Sequence, residues 1–171
     1  STLSLLFAAQ VWPTEGKILW HLNGKNIEAG NVFSIVSLAS PAMELPEEFT
    51  LQEIVKMHSN SKPLSIENAY ENIISICGFR NSILKKPLVQ FSSGMKQRVK
   101  LCLAAFSKTP LCIFDEPLTN LDTAGNALFE KLCAENFQNR LLIIASNREE
   151  EYKHCNQFIK IEQGGNVVIE N

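Results

Sequence analysis

From Gly94 onward, Met95, Val99, Cys102, Leu103 and Phe106 fall on one face of a helix, while Lys96, Gln97, Arg98 and Lys100 lie mostly elsewhere. That spacing predicts an amphipathic helix, which Thr109-Pro110 ends. The apolar run LCIF that follows is the pattern of a strand buried on both faces, with Asp115 at its C-terminal end. A helix over Thr123 to Ala134, a second buried strand LLIIA from Leu141 to Ala145, and a hairpin of QFIKIE and NVVIE turning at Gly164-Gly165 complete this half. Upstream, Thr2 to Gln10 reads as a short helix, broken by Pro13 and Gly16 before KILWHLNGK, where Asn23-Gly24 predicts the turn of an antiparallel element. Asn31 to Ala39 is β-rich and is expected to be a buried strand, and SPAMELPEEFT a loop. Two helices are expected next, one over about Leu51 to Met57 and one from the cap-like Ser65 to Gly78, forming a helical insert. Alternating strand and helix signals of this kind predict a single α/β domain across 1–171, with a mostly parallel sheet and helices over about 50–105.

Composition narrows the chemistry. With 171 residues and 45% hydrophobic content the chain can bury a core. A net charge of -2 offers no electrostatic ground for binding nucleic acid or acidic lipid. The longest apolar runs, LLFAA and LLIIA, fall short of the roughly 20 residues that cross a bilayer, so direct membrane insertion is not expected and a membrane role has to come through a partner. Cys77, Cys102, Cys112, Cys133 and Cys155 lie in or beside apolar runs without CxxC spacing, and are expected to be buried, reduced thiols. His21, His58 and His154 show no spacing suited to a metal site or a triad, and read as surface or packing residues.

Two places carry candidate chemistry. Ligands of open α/β sheets bind beyond the carboxyl ends of the strands, where Asp115 and Glu116 are expected. The first carboxylate suits Mg²⁺ held through a water, and the second suits orienting and deprotonating an attacking water. A capping or salt-bridged pair is the plain alternative. The Ser92-Ser93-Gly94 turn opens a helix, whose free N–H groups and dipole favour a phosphate, although an ordinary serine N-cap has the same sequence.

The order of FSSGMKQR, a helix, LCIFDEP and NLD resembles the ATP-binding cassette (ABC) ATPases, in which a signature motif, a Walker B motif and a D-loop follow in this sequence. The resemblance implies a P-loop NTPase-like core. In it Phe91 to Met95 stand for the signature, Asp115 for the Walker B aspartate, Glu116 for the catalytic carboxylate and Asp122 for the D-loop aspartate, and Gln97 and Arg98 match too. The opening STLSLLFAAQ then looks like the residues just after a P-loop lysine, with Ser1 as the Mg²⁺-binding serine and Thr2 near the α-phosphate. The glycines and lysine of that loop are not in these 171 residues, which by themselves are expected to bind nucleotide poorly.

The resemblance implies ATP and Mg²⁺ as ligands, and a second ABC subunit whose signature turn closes over the first subunit's ATP. Ser92, Ser93 and Gly94 then act across the dimer, and Ser1, Asp115 and Glu116 on the subunit's own nucleotide. It also implies a separate transmembrane permease, docked near the helical insert and the Leu38 to Thr50 loop, and a cytoplasmic place at the inner face of the membrane. Four positions depart from the family pattern. Leu38 stands nearest to the usual glutamine, Asn147 replaces a histidine that contacts the γ-phosphate, and Ser93 and Met95 replace Gly and Gln. An ATP-dependent binding or regulatory module with weak hydrolysis is therefore the second expectation. A non-transport ABC ATPase, for which no basic arm or insertion is visible, is the third.

Overall fold

The computed structural model describes residues 2–161 and 167–170, so the expected roles of Ser1 and the turn at Gly164-Gly165 lie outside the described residues. In chain order the elements are α1 (Thr2–Phe7), β1 (Trp20–Leu22), β2 (Lys25–Ile27), β3 (Val36–Ala39), α2 (Leu51–Ser61), α3 (Ala69–Cys77) and α4 (Ser93–Phe106). They continue with β4 (Leu111–Asp115), α5 (Thr123–Asn136), β5 (Leu141–Ala145), α6 (Glu149–Tyr152), β6 (Phe158–Ile161) and β7 (Val167–Glu170). Strands β3, β4 and β5 form a parallel sheet in that order, while β1 with β2 and β6 with β7 pair antiparallel. The domain is thus mixed α/β with a parallel core sheet, as the pattern predicts.

The side-chain period of two sorts the residues of β4 between two cores. Cys112 and Phe114 enter the larger one, shared with α2, α3, α4 and α5, whereas Ile113 enters a second with Ala8, Val32, Val36 and the partly buried Trp20. Apolar groups on both faces are what make LCIF continuous rather than alternating. Phe114 is fully buried and meets Phe129 and Phe137 edge-on, at centroid distances of 5.6 and 5.7 Å. Burying such a ring contributes about 1.5–3 kcal/mol. The turn between β1 and β2 has positive φ at both Asn23 (52°) and Gly24 (76°), the requirement of the tight turn that its sequence announces. All five cysteines are free, and burial raises the thiols of Cys112 and Cys133 to about 11 and about 12, which leaves them unreactive.

Three elements differ from expectation. The β-rich run from Asn31 is not all strand: Ala29–Ser34 forms a 3₁₀ helix, with Asn31 N–H on Glu28 O at 2.8 Å, and extended backbone begins only at Val36. The second helix of the insert begins at Ala69 rather than Ser65: Leu64 bridges antiparallel to Ser107 and Ser65 N–H donates to Phe106 O at 2.7 Å, so this stretch is held as extended chain against the end of α4. Strand β5, expected to be buried, lies at one end of the three-strand order, and its first residue Leu141 is 61% exposed. Helix α2 begins as expected, on a reciprocal Thr50–Glu53 capping box, and runs on to Ser61.

Candidate functional site

Asp115 ends β4 and is 1% exposed. Alternation puts it on the Ile113 side of the sheet, the side of the second core, and α1, which begins at the exposed Thr2, packs against β4. Its Oδ2 accepts a hydrogen bond from the buried Ser40 Oγ at 2.7 Å. Ser40 follows directly on β3, and its own Oγ accepts from Ala42 N at 3.2 Å. A buried acid fixed by a hydroxyl at the end of a parallel strand fits a hard cation that takes its remaining oxygens from phosphate and water. Among the described residues no group of three or more His, Cys, Asp or Glu could hold a metal by itself.

Glu116 is exposed and lies at φ 45°, left-handed backbone that costs a non-glycine residue about 1–3 kcal/mol and recurs at functional sites. Its N–H donates to Ala145 O at 2.9 Å, so the ends of β4 and β5 are tied together. Asp115 pairs with Ala145, and Asn147, two residues further, is therefore at the same sheet edge and exposed. Asn147 caps no helix. The N-cap of α6 is Arg148, without a side-chain cap bond, and Ser146 Oγ accepts from Arg148 N at 2.9 Å.

Ser92 and Ser93 are exposed, and Ser92 Oγ accepts from Met95 N at 3.2 Å as the N-cap of α4. The cap and an anion site are compatible, because one side-chain acceptor leaves other first-turn N–H groups free. Gly94 is there for a close approach within the chain: a Cβ on it would stand 2.6 Å from Asn120 O. The segment after Glu116 thus lies against the start of α4. Gln97 reinforces this contact, its buried Nε2 donating to Pro117 O at 3.0 Å. Asp122 caps α5 by accepting from Gly125 N at 2.8 Å, and it pairs with Arg98, which also donates to Cys77 O at 2.9 Å. The Gly125 N–H first, and the Arg98 guanidinium after it, hold the Asp122 carboxyl below the usual range.

The family profile described as ABC transporter matches residues 1–119. The chain belongs to this family. An Archaeoglobus fulgidus protein provisionally named an ABC transporter ATP-binding protein is 26% identical over 185 residues, covering 100% of this chain and 76% of that protein. YcbN of Bacillus subtilis, an uncharacterized ABC transporter ATP-binding protein, is 27% identical over 182 residues, 99% of this chain and 56% of its own length. Among solved structures, the dimeric ATP-binding cassette MJ0796 in a post-hydrolysis state bound to ADP and Pi is similar with a TM-score of 0.73 and 14% identity, over 92% of this chain and 74% of that one. The fold is that of an ABC ATPase nucleotide-binding domain.

Against the ABC motifs, the structure brings Asp115, Glu116 and Asn147 to one edge of the sheet and lays the Ser92–Gly94 turn beside the segment that follows the acids. Leu38, expected nearest the family's glutamine, packs in the second core opposite Ile113. The end of β3 instead delivers Ser40 to Asp115. Among the buried polar residues that escape the sequence reading, two bond to β4 and the loop after it. Ser40 sits in SPAMEL, which looks like an ordinary loop, and its partner is 75 positions away. Glu151 belongs to a run of acids that resembles an exposed helix start, yet it is 1% exposed and accepts Leu118 N at 3.0 Å. Neither carries a local signal.

Proposed function

We propose that this chain is part of the ATP-hydrolysing subunit of an ABC transporter, closing on ATP against a second ABC subunit and driving a separate membrane permease from the cytoplasmic face. The observation that carries this reading is the division of labour between neighbouring acids: Asp115 buried and fixed by Ser40, and Glu116 exposed at the rim on left-handed backbone. Asp115, with Ser1, would hold Mg²⁺, which offsets the charge of the β- and γ-phosphates when bound. Glu116 accepts a proton from the attacking water, and Asn147 donates an amide hydrogen bond towards the γ-phosphate. Thr2 serves the α-phosphate. The exposed serines of the α4 turn, with Gly94 and Asp122, face the nucleotide of the other subunit, where the helix N-terminus favours negative charge.

A groove of about 380 Å³ between α2 and the segment after β3, lined by Phe33, Met43, Leu45, His58, Lys62 and Lys100, supports a permease contact on this face. Among the described residues no helix is long and apolar enough to cross a membrane. One observation favours a second reading, a regulatory module with slow turnover: Asn147 cannot carry a proton at neutral pH where the family commonly has histidine.

Glu116→Gln in the full-length protein tests the assignment. Turnover should fall about 10²–10⁴-fold while an ATP-bound dimer persists on size exclusion. Unchanged turnover removes Glu116 as the base.

A further inference from the structure

We propose that Glu151 is a positioning residue that holds Glu116 in its working conformation, an inference that rests on reading Glu116 as the base. Glu149 and Glu150 on α6 are exposed, whereas Glu151 is 1% exposed and turns its carboxylate inward. Its Oε1 accepts the N–H of Leu118 at 3.0 Å, across 33 positions of sequence. Leu118 is buried, so solvent offers that N–H no substitute partner.

Consecutive residues of the loop are each tied to a different element. Glu116 N–H goes to Ala145 O on β5, Pro117 O accepts from Gln97 of α4, and Leu118 N–H goes to Glu151 of α6. Proline has no N–H, so Pro117 can be held only through its carbonyl. Left-handed backbone at a glutamate persists where the surroundings over-determine it, and these anchors are what over-determine Glu116. Without the bond to Leu118, one of these three anchors is lost and Glu116 can relax towards ordinary backbone, swinging its carboxylate away from the water it activates.

The other oxygen, Oε2, is buried with no hydrogen-bond partner among the described residues. A carboxylate buried with half its acceptors unused is a poor choice for filling space, which an apolar side chain does without that cost. The carboxylate is explained by the bond it makes. Because α6 begins two residues beyond Asn147, this bond also links the segment facing the γ-phosphate to the loop bearing the base.

The test uses the full-length protein and reads the loop directly as well as turnover. The Leu118 amide should exchange slowly with solvent in the wild type and at least about tenfold faster in Glu151→Ala, with Glu151→Gln, which keeps an acceptor oxygen, near wild type. The turnover number should fall on the order of 10- to 100-fold in Glu151→Ala with KM for ATP nearly unchanged, and recover in Glu151→Gln. Glu116→Gln measured alongside separates the claims. If it keeps full turnover, the base assignment fails, and the positioning role fails with it. If it is inactive while Glu151→Ala turns over normally, or loses only affinity, or if Gln does no better than Ala, the positioning role alone is overturned. Should Glu151→Ala not fold, a Leu118 amide that exchanges in the wild type as fast as surface amides overturns it too.

Discussion

At His58 a single proton separates two stabilities. Ser107 Oγ donates to Leu103 O at 2.7 Å, so its hydrogen is committed and the His58 Nε2 beside it, also at 2.7 Å, is the donor of their bond. That bond is made in either charge state of the ring, and it is burial that favours the neutral form. Burial, and after it the ammonium of Lys62, pulls the imidazole from 6.5 down to about 4. The unfolded chain therefore takes up this proton first as the medium is acidified. The contribution is fully present above pH 6.5 and is lost as pH falls towards 4. His58→Gln should lose roughly 1–2 kcal/mol less than the wild type between pH 7 and pH 4.5, an amount reduced for the ring's partial exposure. Urea midpoints at the two pH values check it, and parallel losses in both proteins would refute it. The same dependence on surroundings explains why Ser40 reads as a loop residue in the sequence. Only the pairing of β3 with β4, Ala39 opposite Phe114, brings its hydroxyl to Asp115.

Among the elements, α4 and the loop after β4 constrain one another most closely. A methyl group at Gly94 would stand 2.6 Å from a backbone oxygen, which cannot move without moving the loop from Glu116 to Asp122. Gly94→Ala should cost about 1–3 kcal/mol of stability and weaken the Arg98–Asp122 pair, so its melting temperature should fall and its acid sensitivity near the carboxylate range should lessen. A variant as stable as the wild type would mean that the loop yields freely. Elements whose pattern is set by their own faces are legible in sequence: α4 by its apolar stripe, β4 by its wholly apolar run, and the β1–β2 turn by Asn23-Gly24. Those decided by a distant partner are not. Ser65 looks like a cap until the bridge of Leu64 to Ser107 draws its stretch out along the end of α4, and Asn31 to Ile35 look extended until local bonds to Glu28 and Val32 wind them up. That Asp115 and Glu116 lie at a strand end was readable from the apolar run before them, while the contacts of Ser40 and Glu151 depend on the whole topology.

Across the whole molecule, the groove between α2 and the segment after β3 connects a surface to the acids. Its lysines are already committed: Lys62 Nζ donates to Val36 O at 2.8 Å, and Lys100 Nζ to Ser40 O at 3.1 Å and Met43 O at 3.2 Å. The apolar side chains the groove leaves exposed to a partner are chiefly Phe33 at 50% and Met43 at 38%. An apolar side chain pressed into the groove bears on the Ser40–Met43 turn, and Ser40 holds the acid that ends β4. On the proposed function, contact with the permease and geometry at the nucleotide are thereby linked within a few residues. Met43→Glu places a charge where the proposed permease contact would have to be desolvated, at a cost of several kcal/mol. As a partly exposed position it should change the protein's own stability by no more than about 0.5 kcal/mol. Co-expression of the full-length protein with its permease, followed by detergent extraction, should therefore recover a normally folded Met43→Glu subunit largely free of the membrane protein. Recovery of the complex in wild-type yield would place the permease contact elsewhere on the surface and leave the groove without a role in coupling.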